Sequence, residues 1–208
     1  MKFTITNAHI LGGATVSLGV LYKIFTSWTS PVGVAALNAF HLGTFALNFG
    51  TQHWVSFVAG PTMIMTLPRH QFGKVQSQLF PKYFHLQTIT SASCLMAYLI
   101  KHSLESMETF QLIQVCALGS NLCMSLLNLL VFGPKSTQTL LKRHELEVKA
   151  GVGHEIGFHV DRTELLKDPE YAALNKQFGR LHAASMISNF CVMGGSYIHL
   201  LSLASNGL

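Results

Sequence analysis

The chain has 208 residues, of which 11% are charged and 49% hydrophobic. A typical soluble domain is about 25% charged, so an ordinary soluble globule is disfavoured. A disordered chain needs low hydrophobicity and high charge, and is excluded. The net charge of +5 is spread along the chain, with no basic stripe interleaved with aromatics, so no nucleic-acid partner is expected.

Acidic residues are absent before Glu105, and most of them fall between Glu145 and Glu170. Half the chain therefore has no carboxylate for paired acid–base chemistry. No nucleophile elbow, phosphate loop or dinucleotide fingerprint is present, and no enzyme activity is expected. Cys94, Cys116, Cys123 and Cys191 each lie in an apolar stretch without a CxxC pair. They are read as four reduced, buried thiols.

In chain order, residues 1–30 form an N-terminal extension. Its apolar part, Ala8 to Phe25, carries Gly12, Gly13 and Gly19 and is interrupted by Lys23. Three readings stay open for it: a helix lying on the membrane surface, a further span, or a targeting segment. The lack of acids and the Ser/Thr content suit a mitochondrial transit peptide, whereas the lack of Arg does not. With Met1 present, the expectation is that no presequence has been removed.

Residues 31–204 read as one four-helix transmembrane domain. Its apolar stretches are Val32 to Leu67, Tyr83 to Ile100, Phe110 to Phe132 and Leu181 to Ala204, all free of Asp, Glu, Lys and Arg. A spanning helix needs about 20 apolar residues, so the second is short unless Lys82, Lys101 and His102 extend it by snorkelling. The expected fold class is thus all-α: an integral membrane bundle of four spans, an N-terminal interfacial or extra helix, and a short helical soluble loop.

Two connections carry the charge. The first, 67–82, is bracketed by Pro68 and Pro81 and is expected as a basic connecting loop with a short surface helix. Its Arg69, His70, Lys74 and Lys82 are candidates for contact with anionic lipid headgroups or a partner. The second, 133–180, is polar. Gly133-Pro134 is expected to stop the third helix. Ser136 to Lys149 reads as helix, Gly151, Gly153 and Gly157 as a loop, and Asp168-Pro169 as a helix start. Counting Lys and Arg puts eleven on the side of these connections and three on the other, which places both connections in the matrix or cytosol.

Polar residues recur at helical spacing inside the spans. Asn38, His41, Asn48, Gln52 and Ser56 share a face of the first. Gln114, Asn121, Ser125 and Asn128 do so in the third, and His182, Ser185, Asn189 and Ser196 in the fourth. The second is weaker, with His85 and Thr88. Lipid offers such groups no partner, so the stripes are expected to face one another. Asn38, His41, Asn48, Gln52, Asn121, Asn128, His182 and Asn189 are the candidate polar interior. They serve as interhelical adhesion or as a hydrated path for a small solute. Small residues (Ala35, Ala39, Gly43, then Ala46 and Gly50) are expected at a close helix contact.

Eleven histidines raise the question of metal or haem. His85 with His182, or His41 with His199, could face each other across helices. His154 and His159 flank the glycine loop without a Cys partner. No HxxxH or HExxH spacing supports zinc. No cofactor is expected, and the histidines are read as hydrogen-bonded polar residues.

Three blocks carry a family resemblance. The first is Phe49-Gly50-Thr51-Gln52, Trp54-Val55, Phe57-Val58, Gly60, Leu67-Pro68-Arg69-His70, Phe72-Gly73, Val75-Gln76-Ser77, Leu79-Phe80-Pro81 and Tyr83-Phe84-His85. The second is Gly133-Pro134 with Lys142-Arg143-His144-Glu145-Leu146-Glu147. The third is Lys167-Asp168-Pro169, Tyr171, Ala173-Leu174 and Phe178. Across about residues 40–190 the chain resembles the transmembrane protein 205 family of polytopic membrane proteins. The resemblance implies four spans and no catalytic motif. Members have been linked to vesicle trafficking and resistance to platinum drugs without a settled biochemical activity.

Two functions from different classes follow as expectations, with a haem- or metal-binding membrane protein using the span histidines as a minor third. One is a non-catalytic accessory subunit of a larger membrane assembly, with a mitochondrial respiratory complex favoured, partnered by membrane lipids and other protein subunits. The other is a trafficking- or transport-related membrane protein using the polar interior.

Overall fold

The computed structural model describes residues 30–102, 107–157 and 161–206. The expected helix at Ala8 to Phe25, and His159, lie outside the described residues. Contacts divide the chain after Gly43. Of the first unit, the described part opens a helix at Pro31, where Gly33 N–H donates to Ser30 Oγ at 3.0 Å. All packing described below lies in the second unit, Thr44–Leu208.

Four long helices carry the described chain, and no strand occurs among those residues. They are α1 (Pro31–Thr66), α2 (Arg69–Lys101), α3 (Thr109–Lys149) and α4 (Pro169–Asn206). By length and composition α1, α3 and α4 are apolar enough to cross a membrane. At 41 residues, α3 extends about 60 Å, twice the hydrocarbon core of a bilayer. Its charged end therefore reaches the headgroup level or beyond.

Gly133-Pro134 does not stop the third helix. A wide π turn, Asn128–Phe132, precedes it, and Gly133 N–H donates to Asn128 O, five residues back. Pro134 then falls in the first turn of the next α-helical stretch, where no N–H is required. The same device recurs in α1. Trp54–Ala59 is a π turn, Gly60 N–H donates to Val55 O, and Pro61 follows. A Cβ at Gly133 would lie 2.6 Å from Asn128 O and 3.0 Å from the Phe84 ring, so the turn requires glycine.

The connection 67–82 is not a loop either. Leu67 and Pro68 make a two-residue corner, and α2 runs on through Pro81. A mid-helix proline costs about 3 kcal/mol. Buried Tyr83 and Phe84, the latter stacked on Phe80 at 5.6 Å, anchor the helix on the far side of it. The other readings of the polar stretch hold. Gly151, Gly153 and Gly157 have positive φ, and Glu170 N–H donates to Asp168 Oδ1 at 2.8 Å at the start of α4.

α3 packs most extensively on α4. A Cβ at Gly195 would stand 3.0 Å from Ala117 O and overlap the Asn121 amide. Gly195→Val is expected to destabilise the bundle by about 1–3 kcal/mol through overpacking. Gly194 faces open space, so Gly194→Val is the matched control. Thermal melting in detergent checks this, and equal shifts for the two variants would contradict the contact.

Two expectations are corrected here. Ala46 and Gly50 of the small-residue stripe are exposed, and a Cβ at Gly50 would touch nothing. The polar face is buried in their place, because only it needs partners. Among the cysteines only Cys94 is buried; Cys116, Cys123 and Cys191 are exposed, and all four are free.

Candidate functional site

The polar stripes of the second unit meet in a hydrogen-bonded ladder. Asn48 of α1 donates to Gln87 O (3.2 Å), Thr90 Oγ1 (2.7 Å) and Ser91 Oγ (3.0 Å) of α2. One turn on, Gln52 donates to Asn48 Oδ1 and reaches Ser196 Oγ of α4 at 3.4 Å. The Asn121 amide lies 3.2 Å from that same hydroxyl. With its oxygen turned to Ser196, its nitrogen donates to Ala117 O and Val192 O at 3.2 and 3.0 Å.

A second cluster centres on Asn189. It accepts from Tyr83 O–H at 2.6 Å and Gln87 Nε2 at 2.9 Å, and donates to Ser56 Oγ at 3.1 Å. Asn128 donates to Ser185 O at 3.2 Å. His199 pairs with Gln114 Oε1 at 3.0 Å. His85 is exposed and bonds only its own helix at Pro81 O. His182 is half-buried and stacks on Phe178. Asn38 is half-buried and His41 buried. Sequence spacing did not single out Tyr83, Gln87, Thr90 or Ser91. Pro81 suggested a break that hid the register of α2.

The polar end of the molecule is built round Glu147, which is fully buried near the end of α3. Tyr171 O–H donates to it at 2.8 Å and His70 Nε2 lies 3.0 Å away. Arg69 reaches it at 3.4 Å, Arg143 at 3.6 Å and Arg162 at 3.9 Å. Arg162 is also held by Glu155 through two bonds of 2.8 and 2.9 Å.

The glycine loop clasps the Leu67–Pro68 corner. The first backbone donors of α2 would otherwise lack partners. Arg69 N–H donates to Glu155 O at 2.9 Å and His70 N–H to Gly153 O at 3.1 Å. Gly157 N–H in turn bonds Ile64 O near the end of α1. The sequence flagged Arg69 and His70 as surface contacts. Here they are part-buried at this clasp, while Lys74 and Lys82 remain exposed.

Glu155 is pushed down to about 2, chiefly by the hydrogen bonds from Arg162. A depressed carboxylate stabilises the fold above its ordinary value near 4.5, and that contribution fades as pH falls toward 2. Protection of residues 150–157 from an acid protease is therefore expected to hold at pH 5 and above and to drop below about pH 4. Glu155→Gln should remove the step; a profile identical to wild type would rule out this anchor.

His70, His144 and Glu147 offer ligand atoms within 4.8 Å of one another. Three arginines share that carboxylate, however, so a cation there would face three guanidinium charges. The cluster is chemically suited to an anion. Beside it lies a cavity of about 570 Å³ among α1, α2, α3 and α4. Arg69, Arg143, Ser136 and His182 line its polar side, and Phe57, Met186 and Phe190 its apolar side. Asn189 and Ser56 join the cavity to the ladder.

A family model described as a domain of unknown function, DUF4149, matches residues 43–145. No solved structure matches the chain. The curated Transmembrane protein 205 of Danio rerio is 33% identical over 178 residues, covering 82% of this chain and 93% of that protein. The helices long and apolar enough to span a bilayer agree with that similarity. The chain is an integral membrane protein and belongs to the transmembrane protein 205 family.

Proposed function

We propose that this chain is a non-catalytic, four-span accessory subunit of a larger membrane assembly. The observation that carries the reading is the ladder. Asn48, Gln52, Asn121 and Asn189 bond polar groups of neighbouring helices, so most of the interior chemistry goes to cohesion, while Gln52 Oε1, Gln87 Oε1 and Asn128 Oδ1 are buried without a hydrogen-bond partner. Such bonds average about 0.6 kcal/mol each in a membrane. Outside, Trp54, Ile187, Phe190 and Leu201 are all more than half exposed and offer apolar surface to lipid or neighbouring subunits.

α2 serves as the fourth span in this reading. Its lower hydropathy comes from the basic first turns and from Gln87, Thr90 and Ser91, which are buried against the bundle. Residues 133–180 and the corner at Leu67–Pro68 lie on the matrix or cytosolic side, where their Lys and Arg belong. The acid-free N-terminal residues favour the mitochondrial inner membrane, and a respiratory assembly within it.

The cavity supports a second reading, in which a small solute or drug enters beside Asn189. Blue-native electrophoresis of gently solubilised membranes separates the two. Migration in a band several-fold heavier than 22.8 kDa supports the accessory role, and mass spectrometry of the band names its partners. Migration as a monomer in every mild detergent tried would overturn it in favour of the solute reading.

A further inference from the structure

We infer that the interhelical cavity is a binding site for one anionic phospholipid. Its phosphodiester lies at Arg69 and Arg143, and its acyl chains leave past Phe57 and Phe190 into the bilayer.

Charge points to an anion. Arg69 and Arg143 line the cavity together with one carboxylate, Glu155, whereas the carboxylate the two arginines share, Glu147, is not among its lining residues. Arg162 is matched by its own partner, Glu155. One guanidinium charge at this end is thus left without a carboxylate. One lining group also has unused hydrogen-bonding capacity. Ser136 Oγ is buried and has no hydrogen-bond partner, whereas Arg143 Nε faces Glu147 Oε1 at 3.6 Å. Buried polar atoms of this kind are uncommon in folded proteins and call for a partner. Phosphate oxygens accept from guanidinium and hydroxyl donors alike.

Shape points to a lipid. The opposite wall is apolar, and its Phe57, Met186 and Phe190 are about half exposed on the outside of the helices. About 570 Å³ is too small for a whole two-chain phospholipid. It fits a headgroup and the first part of its chains, with the rest in the hydrocarbon. The basic residues lie at the corner of α1 and α2 and near the end of α3, at headgroup depth. The inference does not depend on the accessory-subunit reading.

The test uses the full chain in mild detergent, offered equal amounts of dioleoyl phosphatidylglycerol and dioleoyl phosphatidylcholine. Native mass spectrometry then counts retained lipids. Wild type is expected to keep one phosphatidylglycerol, with a preference of about tenfold over phosphatidylcholine. Arg69→Gln should bring the preference close to parity. Thr137→Trp, which fills the cavity without touching the arginines, should expel both lipids. A parallel melting series adds inorganic phosphate or phosphatidylglycerol to wild type. Equal retention of the two lipids by wild type would overturn the inference, whatever the variants do. So would retention that Thr137→Trp leaves unchanged. A melting shift with inorganic phosphate as large as that with phosphatidylglycerol would overturn the lipid in favour of a free anion.

Discussion

Glu147→Gln is expected to be the most damaging single change in the polar end of the molecule, lowering stability by about 3 kcal/mol or more. The carboxylate is fully buried and is approached by Arg69, His70, Arg143, Arg162 and Tyr171. Removing one partner of a buried ion pair leaves the others uncompensated, at a typical cost of about 3–5 kcal/mol. Partial exposure of Arg69 puts the expectation at the lower end of that range. The glutamine keeps an acceptor for Tyr171, so the loss reports charge rather than shape. Unfolding in detergent measures it. Glu147→Leu combined with Arg143→Leu should recover part of the loss, because apolar packing can replace a buried pair. A change in Glu147→Gln within about 0.5 kcal/mol, the ordinary range for surface substitutions, would show that the cluster does not bear on stability.

Gly153→Ala should rank second. Its φ is +109°, in a region that side chains rarely adopt, and a Cβ there would overlap the His70 imidazole. Backbone strain of this kind costs about 1–3 kcal/mol, and overpacking costs a similar amount. The substitution also threatens the bond from His70 N–H to Gly153 O that closes the start of α2. The expected sum is about 2–6 kcal/mol, with new proteolytic cleavage between residues 150 and 157. Gly151 also has positive φ but meets open space, so Gly151→Ala should cost less. Equal losses at both glycines would mean that backbone strain alone acts and the imidazole contact does not.

The sequence exposes the membrane character of α1, α3 and α4 because lipid enforces one rule: apolar outside, polar paired. Spacing alone places Asn48 with Gln52 on one face of α1, Asn121 with Ser125 on one face of α3 and Ser185 with Asn189 on one face of α4, since residues four apart share a helix face. What it hides depends on contacts distant in the chain. Glu147 sits in a run of charges, Lys142 to Lys149, that looks like a solvated face. Only the folding back of residues 150–157 and the arrival of Tyr171 bury it. The prolines mislead for a related reason. A local rule reads Pro81 and Gly133-Pro134 as helix ends, while packing and a widened turn carry the helices through both.

The two widened turns have a further consequence for how the molecule tolerates change in length. Each holds one residue more than an α-helical turn requires, just before a Gly-Pro pair. A π stretch turns less per residue than an α-helix, so it offsets the overshoot of a four-residue repeat. Ser56, Gly60 and Ile64 can therefore line the same cavity. That extra residue is slack in the ruler. Deleting one residue between Leu129 and Phe132 should tighten the turn to ordinary helix and rotate the basic end of α3 against the ladder. The chain should stay membrane-inserted while Arg143 loses its place beside Glu147. A family built on this scaffold could re-aim its charged end by gaining or losing a single residue, without altering a buried side chain.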